Sequence, residues 1–163
     1  LNAGETQFIK HLRSFLGTAQ GREFMGDNRE LYVLRNQTRG KGVGFQMQGG
    51  GRFFPDFILW LLDEDLQHII FVDPKGLDVG VGNIDVEPKV QFCQNIEDYQ
   101  EALNQRSGRD DIRLHGFIAS VTNFNVLKEK QALDTREDFE DRKVYFLEDG
   151  TAAIQDILRE SID

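Results

Sequence analysis

The sequence predicts an α/β fold, a mixed central sheet flanked by helices, from three observations. Two almost unbroken apolar runs, residues 57–62 and 68–72, are too short for buried helices, and Pro55, Asp63-Glu64-Asp65 and Asp73-Pro74 bound them. That is the pattern of central strands covered on both faces. Amphipathic helical stripes lie before and after these runs, and the order helix, three strands, helix, strand, strand, helix is that of a layered α/β architecture. The chain has 163 residues, 39% hydrophobic and 29% charged, which suits a single domain over 1–163 burying about 70% of its unfolded surface.

The elements follow in order. Phe8, Ile9, Leu12, Phe15 and Leu16 recur at the spacing of one helix face, and Gly17 stops the helix. Residues 31–34 (Leu-Tyr-Val-Leu) read as a short strand. Residues 36–52 hold six glycines between Gly40 and Gly51 and read as a loop or hairpin tip. The runs at 57–62 and 68–73 are joined closely enough to pair as an antiparallel hairpin. Val90, Phe92, Cys93, Ile96, Tyr99 and Leu103 form one helical stripe. Residues 112–121 and 143–147 are further strands, 134–143 is a solvated helix or loop, and 152–162 is a final helix. No repeat or heptad run is present.

Composition narrows the function classes. No apolar run reaches 18 residues, so a membrane span is not expected, and a cytoplasmic protein is. One cysteine, Cys93, and three scattered histidines cannot build a structural zinc site. A start at Leu1 is expected of a domain cut from a longer polypeptide. The net charge of -9 argues against a polyanionic partner in bulk, but it is unevenly spread. Residues 1–55 carry eight Lys/Arg against four Asp/Glu, about +4, whereas residues 56–163 carry eleven against twenty-four, about -13. A basic face on the first third of the chain is therefore expected.

The chemistry concentrates at Asp56, which opens one central strand, and Asp73-Pro74-Lys75, which closes the next. Charges at the ends of buried strands are costly unless paired or coordinated. Side chains at i and i+2 share a strand face, so Asp73 and Lys75 point the same way, and Asp56 lies opposite them on the neighbouring strand. Two carboxylates converging with a lysine suit metal-dependent phosphodiester hydrolysis. Mg²⁺ takes oxygen ligands, commonly one or two protein carboxylates, and keeps waters for the reaction. Asp56 and Asp73 are the expected ligands, with the carbonyl of Pro74 as a further one, and Lys75 orients or helps deprotonate the attacking water. Alone, Asp73-Pro74-Lys75-Gly76 is ordinary turn chemistry. The pairing of Pro-Asp before one apolar strand with Asp-x-Lys after the next sets it apart.

Pro55-Asp56 and Asp73-Pro74-Lys75 resemble the two half-motifs of the PD-(D/E)XK nuclease superfamily. Residues 54–60 with 70–77 look more closely like the C-terminal nuclease domains that follow helicase motors in type III restriction-like proteins. The resemblance extends over residues 1 to about 125 in element order and over 53–77 in specific motif. It implies a restriction-endonuclease-like α-β-β-β-α-β core, cleavage of DNA with Mg²⁺ (Mn²⁺ substituting), and a helicase/ATPase domain in the same polypeptide. It also implies a further acidic residue on the first core helix. Glu5, Glu23 and Glu30 are candidates, and Glu5 is the one whose position resembles that of the helicase-linked relatives. Its simpler role is an acidic group at a helix N-terminus.

Arg35, Arg39, Lys41 and Arg52, with Gln46 and Gln48, border the site and are the expected phosphate contacts; the glycines among them let a loop approach a DNA backbone closely. Those glycines fit neither nucleotide-binding loop pattern. Lys89 and Gln91 read as exposed residues at a helix start, with polar contacts near metal or DNA as the alternative. His115 reads as a core or edge histidine, and Trp60 and the thirteen phenylalanines as core packing before base stacking. Ser120 and Cys93 have no partner suited to nucleophilic catalysis. The expected function is a Mg²⁺-dependent DNA endonuclease domain. Its rival is a non-catalytic DNA-binding or docking module on a motor.

Overall fold

The computed structural model describes residues 1–37 and 41–163. The first half of the chain forms α1 (Ala3–Leu16), α2 (Ala19–Met25), β1 (Arg29–Arg35), β2 (Phe45–Gln46), β3 (Arg52–Phe53), β4 (Phe57–Asp63) and β5 (Leu66–Lys75). The second half adds α3 (Pro88–Gln94), α4 (Ile96–Ser107), β6 (Ile112–Ser120), α5 (Phe124–Gln131), α6 (Arg136–Glu140), β7 (Val144–Phe146) and α7 (Thr151–Ile162). Five strands make one mixed sheet in the order β1-β4-β5-β6-β7, and β2 and β3 pair separately as a small hairpin. β4 runs antiparallel to both of its neighbours, β1 and β5, while β5, β6 and β7 run parallel. The expected α/β class with a mixed sheet flanked by helices is what forms.

Alternation along the strands sends side chains to two helical layers. Phe57, Leu59 and Leu61 of β4, Ile70 and Val72 of β5, and Phe117 and Ala119 of β6 pack against Phe8, Leu12 and Phe15 of α1 and Ile154, Ile157 and Leu158 of α7. Ile58, Phe71, Ile118, Val144 and Phe146 face the other way, onto Val90, Phe92 and Cys93 of α3, Leu127 of α5 and Phe139 of α6. Gly116 makes the second layer tight, because a Cβ there would stand 3.2 Å from the Cys93 Sγ. The Cys93 thiol is buried, and burial holds its pKa above the ordinary range.

α1 begins where the sequence supplies a complete capping box. The Asn2 side chain accepts from the Glu5 N–H at 2.9 Å, and the Glu5 carboxylate accepts from the Asn2 N–H at 3.2 Å. Pro74 is the next-to-last residue of β5, beyond the last β4 pairing, Phe57↔Val72. Its missing N–H therefore costs no ladder bond on that side.

Four expectations change. The stripe over residues 90–103 is two helices, because Asn95 leaves helical geometry (φ -101°, ψ 21°) between α3 and α4. Asparagine competes with the helix through its own side chain, which makes it a natural break point. α2 and α5 are additional helices with no counterpart in the sequence reading. Residues 136–140 form a capped helix whose Phe139 is fully buried, so this charge-dense segment is a lid on the core as well as a solvated surface. Trp60 is 43% exposed and donates to Gln67 Oε1 at 3.2 Å, because the helices of the second layer do not reach the β1–β4 end of the sheet.

His115 and His68 form a partly buried pair, with 3.0 Å between His115 Nε2 and His68 Nδ1, which fits the core reading of His115. Burial pushes His115 down to about 3. No helix among the described residues is long and apolar enough to cross a membrane.

Candidate active site at the end of the central hairpin

The site lies where β5 outruns β4. Extending the antiparallel register one step beyond Phe57↔Val72 sets Asp56 opposite Asp73. Their side chains share the face of Ile58 and Phe71, toward α3. Asp73 is almost completely buried, at 2% exposure, and both of its oxygens are engaged. Oδ1 accepts the Asp56 N–H at 3.2 Å and Oδ2 accepts Lys89 Nζ at 2.9 Å. The Asp56 carboxyl is half-buried and close enough to hydrogen-bond Asp73. Burial first, then the charges of Asp73 and Glu5, push it up to about 6, with Lys89 opposing.

Glu5 reaches the site because α1 packs closely on the strand ends. A Cβ on Gly4 would come within 2.7 Å of the Val121 side chain and 3.6 Å of Pro74 Cβ. The Glu5 carboxylate is buried and accepts from Arg35 Nη2 at 3.1–3.2 Å and from Nε at 3.3 Å. Its helix-capping role and its place beside the site are thus both realised. Glu23 and Glu30 are elsewhere. Glu30 pairs with Leu62, six residues along β4 from Asp56 and therefore about 20 Å away. Glu23 is near Asp63 and Glu64 at that same far end.

The lysines divide differently from the sequence expectation. Lys75 leaves the strand on the side of Asp73, but its Nζ is 3.8 Å from Glu87 Oε1. The lysine that touches the aspartate is Lys89, in the first turn of α3, for which the sequence offers an exposed helix-start position first and a contact near the site as the alternative. Neighbouring Gln91 stays peripheral and donates to the Asp85 carbonyl at 3.2 Å. The Lys75 carbonyl accepts from the Val121 N–H at 2.9 Å, toward β6. Successive carbonyls of a strand point to opposite sides, so that of Pro74 points toward the gap left by β4.

Asp56, Asp73 and that carbonyl are an all-oxygen donor set with surplus negative charge, which suits Mg²⁺ or Mn²⁺. No group of three or more His, Cys, Asp and Glu gathers to hold an ion among the described residues.

The chain matches no family model, no curated protein and no solved structure.

Of the expected phosphate contacts, Arg35 is tied to Glu5, and Arg39 lies outside the described residues. Lys41 and Arg52 are exposed. Arg52 lines an open cleft of ≈ 340 Å³ with Gly42, Gly44, Phe45, Gln46 and Phe54, a few residues before Asp56 in the chain. The β2–β3 hairpin is anchored at its base. Phe45 packs on Phe71 and Phe92 at ring distances of 4.8 Å each, and Tyr99 Oη donates to the Gln46 carbonyl at 2.7 Å. Its turn runs through Gly49, Gly50 and Gly51, all with positive φ (84–99°), a backbone that favours glycine.

The raised pKa of Asp56 gives a stability prediction with a definite sign. A folded-state pKa above the unfolded value stabilises below the unfolded pKa, and the benefit is lost as pH rises through the folded one. For Asp56 the window runs from 3.8 to about 6. Asp56→Asn is therefore expected to raise the metal-free melting temperature at pH 7.5 and to leave it nearly unchanged at pH 4. Thermal scans at both pH values check this; equal shifts would remove ionisation of Asp56 as the cause.

Proposed function

We propose that this chain is a divalent-metal-dependent DNA endonuclease domain with a restriction-endonuclease-like core, in which Asp56, Asp73 and the Pro74 carbonyl hold the ion. The observation that carries the reading is the facing of Asp56 and Asp73 at the end of a buried hairpin, with Asp56 pushed up to about 6. Carboxylates kept close against their own repulsion are characteristic of functional sites. The element order α1, β1, β4, β5, α3–α4, β6 supports the core assignment.

A bound Mg²⁺ or Mn²⁺ supplies Lewis acidity at the phosphate and a more acidic water. The protein's part is positioning and charge. Asp73 is fixed by the Asp56 N–H, while the half-buried Asp56 presents its carboxylate beside it. Lys75 and Lys89 bring two ammonium groups to the side where negative charge grows on the phosphate. Water oxygen adds to phosphorus, the P–O bond to the leaving sugar oxygen breaks, and the proton lost by the water ends on the leaving group or solvent. Lys41 and Arg52 hold the DNA backbone beside the cleft, and a helicase motor in the same polypeptide supplies further affinity.

The rival, a non-catalytic DNA-binding or docking module, draws on one observation: Glu5, Asp73 and Lys75 already have ion-pair partners within the chain. Nicking of supercoiled plasmid by the purified protein decides between them. Mg²⁺-dependent nicking that EDTA abolishes is expected, and its absence with both Mg²⁺ and Mn²⁺ at full DNA occupancy would favour the module. In fluorescence anisotropy, Lys41→Ala with Arg52→Ala is expected to lower the slope of log K against log salt by about 2 for duplex DNA. An unchanged slope would place DNA binding away from this cleft.

A further inference from the structure

Lys89 occupies an electrostatically unusual position. It is in the first turn of α3, next to Pro88, where the exposed N–H groups of the helix disfavour a cation. It stays there because its Nζ lies 2.9 Å from Asp73 Oδ2 and 5.0 Å from the centre of the buried Phe53 ring. A 2% exposed carboxylate without such a partner would be costly, so the pair is mutually required as long as no other cation is present. The Lys89 side chain is nevertheless a third exposed, which gives it a way out. Lys75, with the same charge, is held on Glu87 and leaves Asp73 to Lys89.

We propose that Lys89 is a tethered stand-in for the metal ion: it neutralises Asp73 beforehand, is displaced from that carboxylate when the ion binds, and is thereby released toward the substrate phosphate. This rests on the metal-dependent nuclease reading above. A divalent ion held by Asp56 and Asp73 would carry two charges against the lysine's one, and the Lys89 ammonium would be repelled from Asp73. The swap keeps the buried carboxylate neutralised throughout and ties the arrival of the second cationic group at the phosphate to metal occupancy. Lys89 thus lowers the affinity for the ion and raises the rate with the ion bound, a combination that a merely structural residue does not produce.

Calorimetric titration of Mn²⁺ into the parent, Lys89→Gln and Lys75→Gln proteins, with nicking rates at saturating Mn²⁺, tests this. Lys89→Gln is expected to bind Mn²⁺ about tenfold more tightly than the parent while cleaving more slowly. Lys75→Gln, which removes the same charge from outside the Asp73 contact, is expected to gain no more than about twofold. Equal affinity in the parent and Lys89→Gln, or equal gains in the two variants, overturns the inference and leaves the nuclease reading standing. No Mn²⁺ binding by any of the three proteins overturns that reading and the inference together. A second measurement needs no variant. In the parent labelled with ¹⁵N at lysine Nζ, Mg²⁺ is expected to shift the Lys89 ammonium signal and to leave in place that of Lys143, which pairs with Glu160. A Lys89 ammonium that keeps its shift at saturating Mg²⁺ overturns the displacement.

Discussion

Lys75→Ala leaves the protein folded and lowers metal-dependent DNA cleavage by about 10²–10⁴-fold, the range for losing a positioned group that assists proton transfer. The fold should survive because the Lys75 side chain is 25% exposed and its one ion pair, with Glu87, is long at 3.8 Å. A long pair between partly exposed side chains contributes at most about 1 kcal/mol. The backbone of residue 75, which accepts the Val121 N–H, is untouched. Circular dichroism and plasmid nicking on the same preparation check both halves. Undiminished nicking would remove Lys75 from the mechanism and leave Lys89 as the lysine of the site.

Phe8→Ala is the substitution with the largest expected cost to stability, about 3–5 kcal/mol. Phe8 is fully buried and stacks on Phe57 with ring centres 5.1 Å apart. It links α1 to the first residue of β4, immediately after Asp56. The cavity left by its removal lies beneath the residue that sets the Asp56–Asp73 register. Urea unfolding should show the midpoint falling with little change in slope. A loss below about 1 kcal/mol would mean that α1 relaxes into the space, as well-collapsing sites do.

The central hairpin is legible because its signals are local: two apolar runs, a short acidic turn, and motif residues at the strand ends. Asp56 opposite Asp73 follows from strand periodicity and hairpin register alone. α2 is not legible, because Gly21 interrupts the pattern. The glycine is there for a tertiary reason, since a Cβ on it would fall 1.9 Å from the Phe15 carbonyl oxygen. The break at Asn95 is hidden for the opposite reason, because the apolar stripe continues across it. Lys89 reads first as an exposed helix-start residue, with contacts near the site only as the alternative, because its carboxylate partner is sixteen residues away on another element. Pro88-Lys89 at a helix start gives no sign of a buried anion nearby. A cation in the first turn, where the helix dipole disfavours it, is the signal that favours the alternative. Arg35, expected at DNA, bonds Glu5 through a contact thirty residues apart in the chain, beyond the reach of spacing arguments.

Cys93 gives this protein a reporter of its own opening. A buried thiol held in its protonated form, pressed between α3 and Gly116 of β6, reacts only when these two elements separate. α3 also carries Lys89, so the rate of modification by a thiol reagent measures how often the helix behind Asp73 lifts from the sheet. Because the chain has one cysteine, every labelled molecule records an opening at this one place, whether α3 lifts alone or with the whole fold.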